Sequence, residues 1–195
     1  MSAHDWLLSI TDAEHHSPIC RSVFTMMFDG RPHHVATDGR VITLLPCDAL
    51  DEKPFERASH VLEWFEAAQQ LGAKSIPFSD VINWLADLGP DNLACLDCNG
   101  SKVAPCDCCG QPTRCGRCDG DGVTPAPYVC GRIAGRDFDK RKVRKALGPL
   151  VAERVLIAQP AAREEPTMLR APDGSWTAFV VGLRDDEEDG PELLR

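Results

Sequence analysis

The chain has 195 residues, 43% of them hydrophobic and 26% charged, a balance and length that suit a globular protein with a core of its own. Its formal charge of −9 argues against a protein that coats nucleic acid or an anionic membrane over its whole surface, and leaves only local basic patches for such contacts. No apolar run approaches the roughly 20 residues needed to cross a bilayer, and Asp5, Asp12 and Glu14 stand where a basic leader would be, so the sequence reads as soluble and cytoplasmic.

Taken in chain order, a short amphipathic helix is expected over 4–10, then three strands over 22–28, 31–36 and 40–45. Asp29-Gly30 and Asp38-Gly39 separate the strands, and Asp-Gly between apolar runs signals a hairpin because both turn positions tolerate positive φ. Residues 57–71 read as a helix: Val61, Leu62, Phe65 and Ala68 recur at helical spacing, with Gly72 placed as its C-terminal cap. A second helix fits 79–88, with Ser79 as N-cap, Val81, Ile82, Trp84, Leu85 and Leu88 on the apolar side, and Gly89-Pro90 to end it. After a cysteine-rich stretch come a strand over 128–133, a helix over 139–147 and strands over 153–158, 167–171 and 176–183, the last two joined at Asp173-Gly174. Two β-meanders flanking an insertion are the order expected of a duplicated unit. The run Asp185, Asp186, Glu187, Glu188 and Asp189 reads as a solvated tail, because like charges at this density repel.

Ten cysteines are present, and seven lie between Cys95 and Cys118. A C-x-x-C pair suits a tetrahedral ion because it supplies two thiolates from one tight turn. The pairs here are Cys95/Cys98, Cys106/Cys109 and Cys115/Cys118, with Cys108 inside the middle one. With no secretory signal, metal is preferred over disulfides. The favoured pairing puts Cys95, Cys98, Cys115 and Cys118 around one structural Zn2+. Cys106 and Cys109 then lie either at the tip of the intervening hairpin or in a second site completed by Cys108 or Cys130. A catalytic zinc would need an open position and a general base, and no base accompanies these cysteines. A redox role is weaker, since thioredoxin-like chemistry wants one such pair opening a helix.

The repeat resembles the zinc-binding central region of DnaJ-type chaperones, C-x-x-C-x-G-x-G. Residues 115–122 match it in full, 95–102 have Lys102 in place of the second glycine, and 106–110 diverge most. The resemblance implies zinc and not chaperone activity, since no His-Pro-Asp signature occurs. The flanks resemble bacterial sliding clamps of the DNA polymerase III beta type: Val35-Ala-Thr-Asp-Gly-Arg40, the helix-bearing stretch 135–147, and closing strands that end Ala178-Phe-Val-Val-Gly-Leu-Arg184. That likeness implies an α+β fold, a clamp-like antiparallel β-sheet domain with inserted helices and a small zinc-knuckle module. Its halves would be 1–50 and 126–184, with a helical insertion over 51–90, the cysteine-rich module over 91–125 and the acidic tail over 185–195. Clamps are rings of several such domains, and this chain has sequence for one, so a ring would need homo-oligomerisation.

Seven Lys/Arg fall between Arg132 and Lys145, and Lys140, Arg141, Arg144 and Lys145 share one side of the helix, a footprint suited to phosphate contacts. A solvated basic face balancing the acidic tail is the plainer alternative. His33 and His34 sit on a strand and point to opposite faces, so they do not ligate one ion together. No phosphate loop, nucleophile elbow or His-Glu-x-x-His helix is present. The expectation is therefore a non-enzymatic, zinc-stabilised binding protein whose partner is DNA or a replication or phage protein, with no membrane role. The alternatives are a protein-binding adaptor or chaperone-like factor that uses the knuckles, and a thiol enzyme.

Overall fold

A computed structural model describes residues 3–51, 59–70, 72–106, 108–126, 129–160, 165–183 and 193. The acidic tail expected over 185–195 therefore lies, apart from Leu193, outside the described residues, as does the start of the helix expected from residue 57. The chain opens with helix α1 (Ala3–Ile10) and the strands β1 (Phe24–Phe28), β2 (Arg31–Thr37) and β3 (Val41–Pro46). Helix α2 (Ser59–Gln70), strand β4 (Lys74–Pro77) and helix α3 (Phe78–Asp87) follow, then the short strands β5 (Asn92–Ala94), β6 (Val103–Pro105), β7 (Pro112–Arg114) and β8 (Val123–Pro125). The last stretch holds β9 (Cys130–Ile133), β10 (Arg136–Asp139), α4 (Lys140–Leu147), β11 (Arg154–Ala158), β12 (Thr167–Arg170) and β13 (Thr177–Val180).

Seven strands form one sheet in the order β1-β2-β3-β13-β12-β11-β4, every neighbour antiparallel. Leaving β4 aside, the order reads the same from either edge, each half contributing a meander that ends at the β3–β13 seam. This is the duplicated arrangement that the two sequence meanders imply. Strand alternation gives the sheet two apolar faces. Val41, Ala178, Val180, Leu169, Val155 and Ile157 point to one core with α3 and α4, and Ala36 meets Trp6, Leu7 and Ile10 of α1 beside it. Leu44, Phe179, Met168 and Ala158 point to the other, where Val61, Phe65 and Ala68 of α2 cover them. His33 lies on this second face, edge-on to Phe28 with ring centroids 5.2 Å apart, whereas His34 approaches His4 of α1.

Three local expectations are corrected. Helix α3 starts at Phe78 with Pro77 at its N-cap and no side-chain cap, so Ser79 lies inside the first turn. Residues 74–77, where no element was expected, form β4, which extends the sheet beside β11. Strand β10 precedes α4, because Ala134 (φ 50) and Gly135 (φ 83) make a tight turn with both central residues at positive φ and return the chain along β9.

Helix α4 is seated by its ends. Asp139 caps it, accepting from Arg141 N–H at 2.8 Å. At the other end Trp6 Nε1 donates to Lys145 O at 3.2 Å and Thr43 Oγ1 to Ala146 O at 3.1 Å, satisfying carbonyls that a helix end otherwise leaves orphaned. Gly148, at φ +44, is required there because a Cβ would collide with the Trp6 indole.

The β2–β3 turn adds a charged clasp to α4: Asp38 Oδ2 accepts from Lys142 Nζ at 2.8 Å and Lys145 Nζ at 2.9 Å, its side chain only 6% exposed. Burial would raise the Asp38 carboxyl, but the hydrogen bonds from Lys142, Lys145 and the Arg40 backbone N–H outweigh it and hold the pKa down to about 2. Because the folded pKa lies below the ordinary 3.8, the stabilisation is complete above that value and is lost as pH falls through about 2. Asp38→Asn should therefore cost on the order of 1–2 kcal/mol at neutral pH. In thermal melts the gap between wild type and variant should close from about pH 5 to about pH 2, and a gap of constant size would refute the clasp.

Candidate metal centre

The cysteine-rich segment is a two-tiered arm. Strands β5 and β8 pair at its base, β6 and β7 pair beyond them, and the knuckles sit between the tiers. In each knuckle the chain reverses in a tight turn with two residues at positive φ: Asn99 (48) and Gly100 (82) in one, Asp119 (48) and Gly120 (76) in the other. Each turn is closed by the same bond, Ser101 N–H to Cys98 O and Asp121 N–H to Cys118 O, both 2.9 Å. The knuckles also bond reciprocally, Cys95 N–H to Gly122 O at 2.9 Å and Cys115 N–H to Lys102 O at 3.0 Å.

This pseudo-two-fold brings Cys95, Cys98, Cys115 and Cys118 together, all buried, with their sulfurs within 4.8 Å of one another. Cys95 Sγ lies 3.7 Å from Cys115 Sγ, and Cys98 Sγ 3.7 Å from Cys118 Sγ. A tetrahedron with metal–sulfur bonds of about 2.3 Å has an edge of about 3.8 Å, so the four sulfurs fit one ion with all positions filled. Gly122 N–H donates to Cys118 Sγ at 3.2 Å, the kind of second contact that favours a thiolate. At Cys118 burial would raise the thiol, but this N–H and the neighbouring cysteines bring it down to about 7. At Cys115 the Cys118 backbone N–H lowers the thiol, yet burial and the thiols of Cys118 and Cys95 push it up to about 11. Thiols this close favour the first ionisation and oppose the next, so they do not all ionise together until a divalent cation is bound.

Cys106 and Cys109, the remaining predicted ligands, lie at the β6–β7 tip and join Cys108 in a separate three-sulfur cluster, half-buried or exposed. Cys130, the other candidate to complete that site, lies on β9 opposite Asp139 and is not in the cluster. Cys108 is thus brought in by the fold.

The four cations proposed for phosphate contact face carboxylates of the chain itself. Lys140 is buried, with Nζ bonded to Gly89 O and 3.3 Å from Asp91 Oδ1. Arg144 pairs with Asp91, Arg141 with Asp139 at 3.4 Å, and Lys145 with Asp38. Arg141 and Arg144 keep 44% and 48% of their side-chain surface exposed and are the members of the set that solvent reaches best. In the sequence Asp38 was marked only as half of the Asp38-Gly39 hairpin signal and Asp91 not at all, since a carboxylate in a turn has many uses.

Lys102 occupies the place of Gly122 in the pseudo-symmetric knuckle and adopts the same conformation, φ 70 against 79. A side chain there carries left-handed strain that glycine lacks. Lys102→Gly should therefore strengthen metal retention by about 0.5–1 kcal/mol, read as slower transfer to a chelator, while Lys102→Ala should give no gain. Slower loss from the alanine variant would remove strain as the cause.

No family model matches the sequence, and no curated protein matches it either. Among solved structures the chain is similar to DNA polymerase III subunit beta from Borrelia burgdorferi, with 9% identity over 94% of this chain and a TM-score of 0.49. It is also similar to the DNA polymerase sliding clamp from Caulobacter crescentus, with 13% identity, 92% coverage and a TM-score of 0.44. The sliding clamp from Bartonella birtlesii gives 12% identity, 92% coverage and 0.46. The chain spans 62–63% of the length of these three proteins.

Proposed function

We propose that this chain is a non-enzymatic, zinc-stapled binding protein that works beside DNA or replication proteins on a clamp-like scaffold. The observation that carries the zinc is the closed, buried set of Cys95, Cys98, Cys115 and Cys118 at tetrahedral spacing. Four sulfurs leave no coordination position for water or substrate, which suits a staple and does not suit a Lewis acid. Bound zinc would supply folding energy to an arm whose four strands are three residues each and which otherwise has almost no core.

The scaffold half of the proposal is supported by the clamp-like motifs in the sequence and by the mirror order of the sheet, with α4 laid across the seam. Duplex DNA or a replication or phage protein is the partner class that this resemblance suggests, and assembly of several copies would bring several α4 helices together. A second reading rests on a different observation. Leu93, Leu96, Val103 and Val123 are exposed apolar side chains on the arm, Leu96 at 73%, which suits a protein-binding adaptor. Among the described residues no helix is long and apolar enough to cross a membrane.

Native mass spectrometry of the full chain should find zinc, and Cys115→Ser or Cys118→Ser should release it and unfold the arm. A folded arm without metal would end the staple proposal. For the DNA arm of the proposal, Lys140 is unsuitable as a probe because its removal disturbs a buried pair, so Arg141 and Arg144 are the residues to change. If they contact phosphates, Arg141→Gln with Arg144→Gln should weaken duplex binding alike for all sequences and flatten the salt slope by about 0.9 per lost contact. Wild-type protein that retains no DNA at low salt, while Leu96→Asp abolishes capture of a replication protein, would transfer the function to the adaptor reading.

A further inference from the structure

We propose that Cys106, Cys108 and Cys109 form a second metal site of a different kind, an open three-sulfur seat that holds a thiophilic divalent ion and leaves its fourth position to an exchangeable outside ligand. The two clusters differ in each respect that decides how firmly an ion is held. The knuckle site has four sulfurs, all buried; the tip has three, of which Cys108 and Cys109 are exposed. The knuckle sulfurs already stand 3.7 Å apart, whereas Cys106 Sγ and Cys108 Sγ are 2.9 Å apart and must spread by about 0.9 Å to reach the edge of a tetrahedral site. The three sulfurs sit at a hairpin tip, where Gly110 N–H bonds to Cys106 O and Cys106 N–H to Gln111 O, each at 2.8 Å, and where two of the three side chains are exposed and can turn to spread.

Among the described residues no further His, Cys, Asp or Glu atom joins the three sulfurs within ligand distance. A tetrahedral ion seated there keeps one position for solvent. A cavity of about 710 Å3 adjoins the tip, with Cys106 and Cys108 in its lining beside Thr113, Arg114 and Arg117, so a ligand the size of a small thiol can reach the ion. Metal entry releases the protons of the thiols that bind. When an outside thiol then enters, it gives its proton to buffer and displaces the bound water, with no redox change. The site goes beyond the closed staple of the proposed function and does not depend on it.

The test is Co2+ titration of the full chain under reducing conditions, read by visible absorption and native mass spectrometry. Wild type should take two equivalents: a first with the strong tetrahedral bands of four sulfurs, and a second whose bands move when excess 2-mercaptoethanol is added. The second should transfer to a chelator at least tenfold faster than the first. Cys106→Ser with Cys108→Ser and Cys109→Ser should take one equivalent, insensitive to added thiol. Cys115→Ser should lose the first equivalent and retain the second, so failure of the staple is distinguishable from failure of the tip. Saturation of wild type at one equivalent would overturn the proposal. So would a second equivalent that persists in the triple variant, or a tip found as a disulfide two mass units lighter in reducing buffer.

Discussion

The pairing of β3 with β13 is the contact on which the rest of the molecule depends. It sets Val41 against Val180 and Leu44 against Thr177, joining the two ends of a chain whose middle is occupied by two helices and the cysteine arm. Without it each half is a three-stranded meander with both faces unsealed; with it, one sheet has enough apolar surface for a core on either side. The long excursion between the strands costs little, because loop-closure entropy grows only with the logarithm of loop length. The seam also positions α4, whose Ala146 carbonyl, in the last turn, is taken by Thr43 of β3 and whose apolar Val143, Ala146 and Leu147 pack onto the same face.

That placement decides the fate of the basic residues. Five cations occur in α4, and the fold supplies Asp38 from the β2–β3 turn, Asp91 from the foot of the arm and Asp139 from the helix cap. Carboxylates of the same chain compete with phosphate for the cations of a basic stripe, and they leave Arg141 and Arg144 the most open to solvent. Spacing along a helix shows which cations share a side; it does not show what the neighbouring turn presents. Lys140 illustrates the limit: at i and i+4 it groups with Arg144, yet its ammonium is buried on Gly89 O and Asp91.

Where the sequence was legible, short-range chemistry decided the structure. Asp29-Gly30, Asp38-Gly39 and Asp173-Gly174 marked hairpins because their backbone freedom is local, and Val61, Phe65 and Ala68 marked α2 because one face had to be buried. The four knuckle cysteines were legible for the same reason, since each C-x-x-C carries its own turn. Strands β4 and β10 were not, being four residues long with no alternation to set them apart from loop, and held only by partners elsewhere in the chain. The Ser79 cap failed because the N-cap lies two residues earlier, at Pro77, with Ser79 already inside the first turn. Glycine spacing alone pointed to an imperfect first knuckle, whereas Lys102 follows the glycine conformation because the cross-knuckle bond from Cys115 N–H to its carbonyl holds it there.

The foot of the arm shows how a module that closes its own metal site is nonetheless tied to the body. Asp91 accepts the Ala126 N–H through its carbonyl at 2.8 Å, which shuts the base of the arm, and the carboxylate of the same residue receives Lys140 and Arg144 of α4. The Arg144 contact is half-exposed and contributes little, as exposed ion pairs generally do. The Lys140 contact is different, because its side chain is 2% exposed and removal of the carboxylate would leave a buried ammonium with one carbonyl for company. Leaving that ammonium short of a partner costs about 1–3 kcal/mol, discounted from the fully buried case because the Asp91 side chain is 33% exposed. Zinc at the knuckles would order the arm internally, and the four cysteines that would hold it cluster with Ala104 of the arm itself. Asp91 and Lys140 thus tie the foot of the arm to α4, and a partner that engages both the arm and α4 would meet two surfaces linked through this contact.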